Sequence, residues 1–362
     1  MMIEMGDMPL YDPSSSQLDR RVYSDPAVLD LELDRIFGRS WLLAGHEDLA
    51  PAPGDFGLGG MGADLLLFWR GLDGELRVFL NFCPGSGLRF CLAESGNAAS
   101  MRCGCHRVEF GSDGVALSGE RSLISPARVE QRGGLTFASH EADAEPLEAA
   151  LGDFAVYLDE WLAIGGSSPR FSTIIRSTID ANWKLPMEAF AGGLYREHWS
   201  EPAQDGEALV VWAGAGGLLV RKGEDVTQVP APRLGMLFPN VVLSWQDAAI
   251  HIFQPRTASQ TEVWSFFLVD GDVNFDEREA VRLGFQRSFA PGSLPFEDLA
   301  FHWQEITRLS ASPIARQQPV RFDAGPPPSY NEDLPGLVAP ALSDFGQRSF
   351  YEIWLQEISR SQ

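Results

Sequence analysis

Positive charge is scarce in this chain of 362 residues, with 28 Lys and Arg against 50 Asp and Glu and a formal net charge of −22. Such an acidic surface repels phosphate backbones and anionic lipid, so neither nucleic acid nor membrane is expected as a partner. Long apolar runs are also missing, and no stretch approaches the roughly 20 residues that a bilayer-spanning helix needs. The first residues, MMIEMGDMPLYDPSSS, have no cationic start followed by an apolar run. They do not read as a secretory leader, and a reducing cytoplasm is the expected compartment. Cysteine is limited to Cys83, Cys91, Cys103 and Cys105, all in one short segment. That clustering argues against a disulfide framework and for a metal site or its remnant. No solenoid-type repeat is found.

The 44% hydrophobic content is enough for a sizeable core, and the length suits one large domain or two ordinary ones. Asp25 to Trp41 has apolar residues near helical spacing, with Asp25-Pro26 as cap and first turn, and predicts a helix. From Trp41 to about Glu141, short apolar runs such as DLLLFW and LRVFLNF alternate with turns at Asp73-Gly74 and Asp113-Gly114. They predict a small β domain. The segment from His140 to Leu158 predicts a connection with a short helix. Further strands are expected in FSTIIRSTI, ALVVWAGAGGLLVRK, VVLSWQ, AIHIF and EVWSFFLVD. Helices are expected around Trp183 to Trp199, Glu277 to Phe289, Phe296 to Ser310 and Arg348 to Ile358. QQPVRFDAGPPPSY reads as a surface loop or arm. The glycine run from Gly214 to Gly217 lacks the helix and Lys of a phosphate loop and reads as a strand-joining turn. The class is α+β, with the β domain inserted after the first helix.

A Rieske [2Fe–2S] centre is spelled C-x-H, a gap, then C-x-x-H, with two thiolates on one iron and two imidazoles on the other. Cys83, Cys103 and His106 fill three of those four places, and Gly85 stands in the fourth. With this motif, DPAVLDLELDRIFGRSWLLAGHEDLAPAPGDF, NWKLPMEAF, FPNVVLSW, Gln254-Pro255-Arg256 and EVWSFFLV resemble the large (alpha) subunit of Rieske-type ring-hydroxylating oxygenases. The resemblance runs from about Tyr23 to Trp354. It implies residues 1–40 as an N-terminal helix of the catalytic-type domain, 41–150 as a Rieske-like β domain, and 151–362 as a helix-grip (START/Bet v1-like) domain. That last domain would have an antiparallel sheet and long helices.

The family carries a [2Fe–2S] cluster and a mononuclear Fe(II), the latter held by two histidines and a carboxylate. On that pattern Arg196 stands at the first histidine, Glu201 at the second and Leu299 at the carboxylate. Asp298 matches the neighbouring acid that is not a ligand, and Gly193 stands at the Asp linking the two centres. A fixed guanidinium at 196 opposes binding of Fe(II). The resemblance therefore implies a degenerate member holding no cofactor, with Cys83, Cys103 and His106 as vestigial residues in two hairpin tips. The expected role is a non-catalytic alpha-like subunit in a trimer-based hetero-oligomer with a catalytic alpha subunit.

Three alternatives stand beside it. One is a binding protein for an apolar or aromatic carboxylate, with Leu194, Leu234, Met236, Phe238, Trp245 and Phe253 lining a cavity and Arg196 as anchor. Another is an active oxygenase with unusual ligands, in which Cys91 or Cys105 replaces the missing imidazole. Next to the turn of Cys103 and His106, the Cys105 thiol is expected to point away. The third is a different metal, either zinc on the four cysteines or an ion on His198, Glu201 and His302. His46, His251, Trp183, Trp199, Trp303 and Trp354 are read as structural.

Overall fold

The computed structural model describes residues 9–172, 174–192, 208–221, 231–288, 292–323, 325–341 and 343–360. The chain divides into two compact units, Phe37–Leu147 and Met1–Ile36 with Glu148–Gln362.

The unit Phe37–Leu147 is built from short antiparallel strands. Leu76–Leu80, Asp64–Arg70, Asp55–Met61 and Ser95–Asn97 lie side by side in that order. Arg128–Arg132, Leu135–Ser139 and Leu42–His46 form a second sheet, and Ser100–Arg102 pairs with Glu109–Gly111. Gly74 and Gly114 take φ of 87° and 78° in the two Asp-Gly turns, a conformation that costs glycine little. Leu58, Leu67, Trp69, Phe79, Phe90 and Phe110 make the core, and Cys83, Cys91 and Cys103 pack into it.

In the other unit, α1 (Pro26–Glu32) begins as its sequence signals require. Asp25 caps it by accepting from the Ala27 N–H, and Pro26 takes the first turn. It does not run on to Trp41: a π turn, Leu33–Phe37, ends it before Gly38, a poor helix former. Two short helices follow the β unit, α2 (Leu147–Leu151) and α3 (Phe154–Leu162).

Among the described residues, this unit is dominated by a ten-stranded antiparallel sheet. Its order is Pro169–Phe171, Gln260–Asp270, Ala249–Thr257, Val241–Ser244, Ala231–Leu237, Gly216–Arg221, Ala208–Ala213, Leu334–Pro340 and Ser329–Asn331, with Ile175–Ile179 also on Gln260–Asp270. Four helices accompany it: α4 (Lys184–Gly192), α5 (Phe275–Ser288), α6 (Leu294–Ser310) and α7 (Phe345–Ser359). Gly214 turns the chain between two strands at φ 50°, where a Cβ would stand 2.4 Å from the Leu151 carbonyl oxygen. The α+β class with a large antiparallel sheet and helices is what the sequence predicts.

The Pro-rich stretch is not a free arm. Val320–Arg321 pairs with Gln17–Leu18, Phe322 is buried and stacks on Tyr351 at 5.6 Å, and Ser329–Asn331 joins the sheet edge. Phe322 is its buried anchor, while Pro326, Pro327 and Tyr330 stay exposed as a surface loop requires.

The NWK segment fastens α4. Asn182 Nδ2 donates to the Ala258 carbonyl at 2.7 Å, and Asn182 Oδ1 accepts from the Lys184 N–H at 3.1 Å. Lys184 Nζ lies 2.7 Å from Glu32 Oε1, both side chains being fully buried. Trp183 and Trp354 each donate an indole N–H to Glu32 at 2.8 Å. Burial pulls the Lys184 ammonium down from its usual range, and Glu32 pulls the other way. One carboxylate thus joins α1, α4 and α7.

Candidate metal centre

Two short loops in the unit Phe37–Leu147 wind the same way. In the first, the Cys83 N–H donates to the Leu88 carbonyl and the Gly87 N–H returns to the Cys83 carbonyl. In the second, the Cys103 N–H donates to the Val108 carbonyl and the Arg107 N–H returns to the Cys103 carbonyl. The fifth residue of each has positive φ, 72° at Gly87 and 56° at Arg107. A residue's position within one loop therefore finds its equivalent in the other. Gly85 corresponds to Cys105, and Ser86 to His106.

The loops bring Cys83, Cys103, Cys105 and His106 together, with their donor atoms all within 4.8 Å of one another. Cys83 and Cys103 are buried, while Cys105 and His106 are exposed. Cys83 Sγ is 3.5 Å from His106 Nδ1, and Ser86 Oγ donates to Cys105 Sγ at 3.0 Å. Burial is the strongest single influence on the Cys83 thiol and raises it. Hydrogen bonds from the Gly85 N–H, Cys105, His106 and Ser86 outweigh it together and bring the thiol down to about 6. The Cys105 thiol is lowered by Ser86, but slight burial and the neighbouring Cys83 and Cys103 leave it raised on balance.

The expectation that Cys105 points away is thus corrected. The third position of each loop faces the centre, so a Cβ built on Gly85 would stand 2.9 Å from His106 Cε1. A four-cysteine set is corrected as well. Cys91 lies outside the cluster, its thiol donating to the Ala93 carbonyl at 3.5 Å and its backbone held by Asn81 at 2.7 and 2.9 Å.

A Rieske centre needs two thiolates on one iron and two imidazoles on the other. The donors gathered here are three thiols and one imidazole. Cys83 and His106, which such a centre assigns to different irons, stand only 3.5 Å apart. The donor set does not fit that group.

Arg196 and Glu201, two of the three residues read at the mononuclear iron position, lie outside the described residues, as do Gly193, Leu194, His198 and Trp199. The third, Leu299, is fully buried on α6. Asp298 beside it is exposed. Successive helical residues are turned by about 100°, so the two cannot share a face. His302 is half-buried on the same helix. Met236 and Phe253 are fully buried; Phe253 meets Trp303 edge-on at 6.2 Å and Phe238 packs on Phe350 at 5.9 Å. These residues act as core. His251 is buried in its strand, 2.8 Å from Ser265 Oγ, and burial lowers its imidazole to about 3. A pocket of about 320 Å³, which the sequence did not suggest, is lined by Arg170, Phe171, Phe267, Phe275, Arg278 and Arg282, among others. Among the described residues, no helix is long and apolar enough to cross a membrane.

The family model for the Rieske [2Fe-2S] domain matches residues 40–122. The chain is 31% identical to the biphenyl 2,3-dioxygenase subunit alpha of Rhodococcus jostii (strain RHA1), over 96% of this chain and 90% of that one. It is 28% identical to the chlorobenzene dioxygenase subunit alpha of Cupriavidus sp. (strain PS12), over 97% of this chain and 93% of that one. Among solved structures it is similar to naphthalene 1,2-dioxygenase with indole bound in the active site, with a TM-score of 0.87 and 24% identity across 98% of this chain and 94% of that one. A quaternary ammonium Rieske monooxygenase in complex with L-carnitine gives 0.74 at 17% identity, across 98% of this chain and 100% of that one.

Proposed function

The chain belongs to the family of ring-hydroxylating dioxygenase alpha subunits, and from that premise we propose that it is a non-catalytic member. In this reading it assembles with a catalytic alpha subunit that hydroxylates an aromatic or other apolar substrate, and stabilises or regulates it. The observation that supports the proposal is that Leu299, the residue that the sequence resemblance aligns with the family's iron-binding carboxylate, is aliphatic and fully buried. An iron that binds oxygen needs two imidazoles and a carboxylate around open positions, and a leucine offers no donor atom. Asp298, the carboxylate that a one-residue shift would supply, faces solvent. Arg196 and Glu201, in place of two histidines, point the same way from sequence. The framework around α4 is meanwhile fully made: Asn182, Trp183 and Lys184 tie it to its neighbours.

The test is turnover and assembly measured side by side. Alone, with an electron donor and an aromatic hydrocarbon such as biphenyl, the chain should give no dihydrodiol. Mixed with a catalytic alpha subunit of the family from the same source, it should appear with that subunit in one oligomer by native mass spectrometry. Dihydrodiol formed by the chain alone, or two proteins that remain apart, would refute the proposal.

A further inference from the structure

We propose that Cys83, Cys103, Cys105 and His106 hold a single tetrahedral zinc ion in place of a two-iron cluster. Zinc bonds thiolate sulfur at about 2.3 Å and imidazole nitrogen at about 2.0–2.1 Å, so a tetrahedron has edges of about 3.8 Å between thiolates and about 3.5 Å from thiolate to imidazole. Cys83 Sγ and His106 Nδ1 already stand at 3.5 Å, and all four donor atoms lie within 4.8 Å. Ligands on opposite irons of a two-iron cluster would be spread further by the metal–metal separation, a spacing this gathering does not provide.

The paired loops explain how the set arose. In each, the first and third positions face the centre. The first loop has lost its third-position donor at Gly85, and the second presents one at Cys105 where a C-x-x-H spelling asks for none. The result is Cys₃His, a set that closes zinc's coordination with no open position. Such an ion is structural: it fastens Cys83–Leu88 to Cys103–Val108. Ser86 Oγ, 3.0 Å from Cys105 Sγ, supports the exposed thiolate with a hydrogen bond.

The full chain is produced with zinc and iron both supplied, purified without oxygen, and assayed for zinc, iron and acid-labile sulfide. One zinc per chain without sulfide is expected, and Co(II) exchanged into the site should give the intense visible bands of a tetrahedral thiolate complex. Cys105→Ser should weaken zinc binding by about a hundredfold or more. Cys91→Ser should leave it unchanged, because that thiol lies outside the cluster. Two irons with sulfide per chain would overturn the assignment. So would a Cys105→Ser chain that keeps zinc as tightly as its parent, or a reduced apoprotein that takes up none. Metal content is read without turnover or assembly, so failure here is separate from failure of the preceding proposal.

Discussion

Glu188 is a buried carboxylate between two phenols: Tyr23 Oη donates to it at 2.5 Å and Tyr351 Oη at 3.0 Å. Burial dominates, and with the negative field of Asp344 it outweighs the two phenols and Arg20, raising the carboxyl from 4.5 to about 7. Between those values the folded chain binds the proton and the unfolded chain has lost it. The stabilisation is therefore complete below about pH 4.5 and lost as pH rises through about 7, on the order of 3 kcal/mol. Glu188→Gln should flatten the fall in Tm between pH 5 and pH 8; an unchanged slope would remove Glu188 as its source. Lys184 gives a second prediction. Lys184→Met leaves the buried Glu32 carboxyl without its cation and with only two indole donors, and should cost about 3–5 kcal/mol in urea unfolding. Part of that loss should return in the double variant with Glu32→Gln. At this scale the sequence was informative about identity and silent about direction. Cys83, Cys103 and His106 were legible from spacing. Cys105 was misread because the matching of the two loops lies in backbone hydrogen bonds that the letters do not carry.

Among the elements, α6 shows how one helix separates two neighbours. Leu299 is packed in the interior and Asp298 is in solvent. Leu299→Ala should cost about 2–5 kcal/mol by the cavity it leaves, whereas Asp298→Ala should fall within about 0.5 kcal/mol of the parent. Equal effects in chemical denaturation would mean that the helix is turned otherwise. α6 was legible because its apolar residues keep helical spacing after a Ser293 cap and a proline in the first turn. Leu334–Pro340 was not. It holds two prolines and a glycine, residues that oppose a strand, yet it pairs with both Ala208–Ala213 and Ser329–Asn331. Its partners decide its conformation where its own propensity opposes a strand.

At the scale of the molecule, the α+β class followed from the texture of the chain. Short apolar runs broken by Asp-Gly turns gave the small strands of one unit, and longer alternations gave the large sheet of the other. Ligand removal should keep to the first of these. Chelating the proposed ion, or introducing Cys105→Ser, should raise amide exchange in Cys83–Leu88 and Cys103–Val108 and leave the buried strand Val241–Ser244 as protected as before. Loss of protection in both places would mean that the site governs the whole fold. The paired loops also make the site a socket with spare addresses. Three inward positions on each of two identical windings give six, at 83, 85, 86, 103, 105 and 106, of which four carry sulfur or nitrogen, one a hydroxyl and one nothing. In the proposed zinc site, the donor absent at Gly85 in one winding is supplied by Cys105 at the matching position of the other. If the zinc assignment holds, metal identity here is set by which side chains occupy the two windings, not by the path of the backbone.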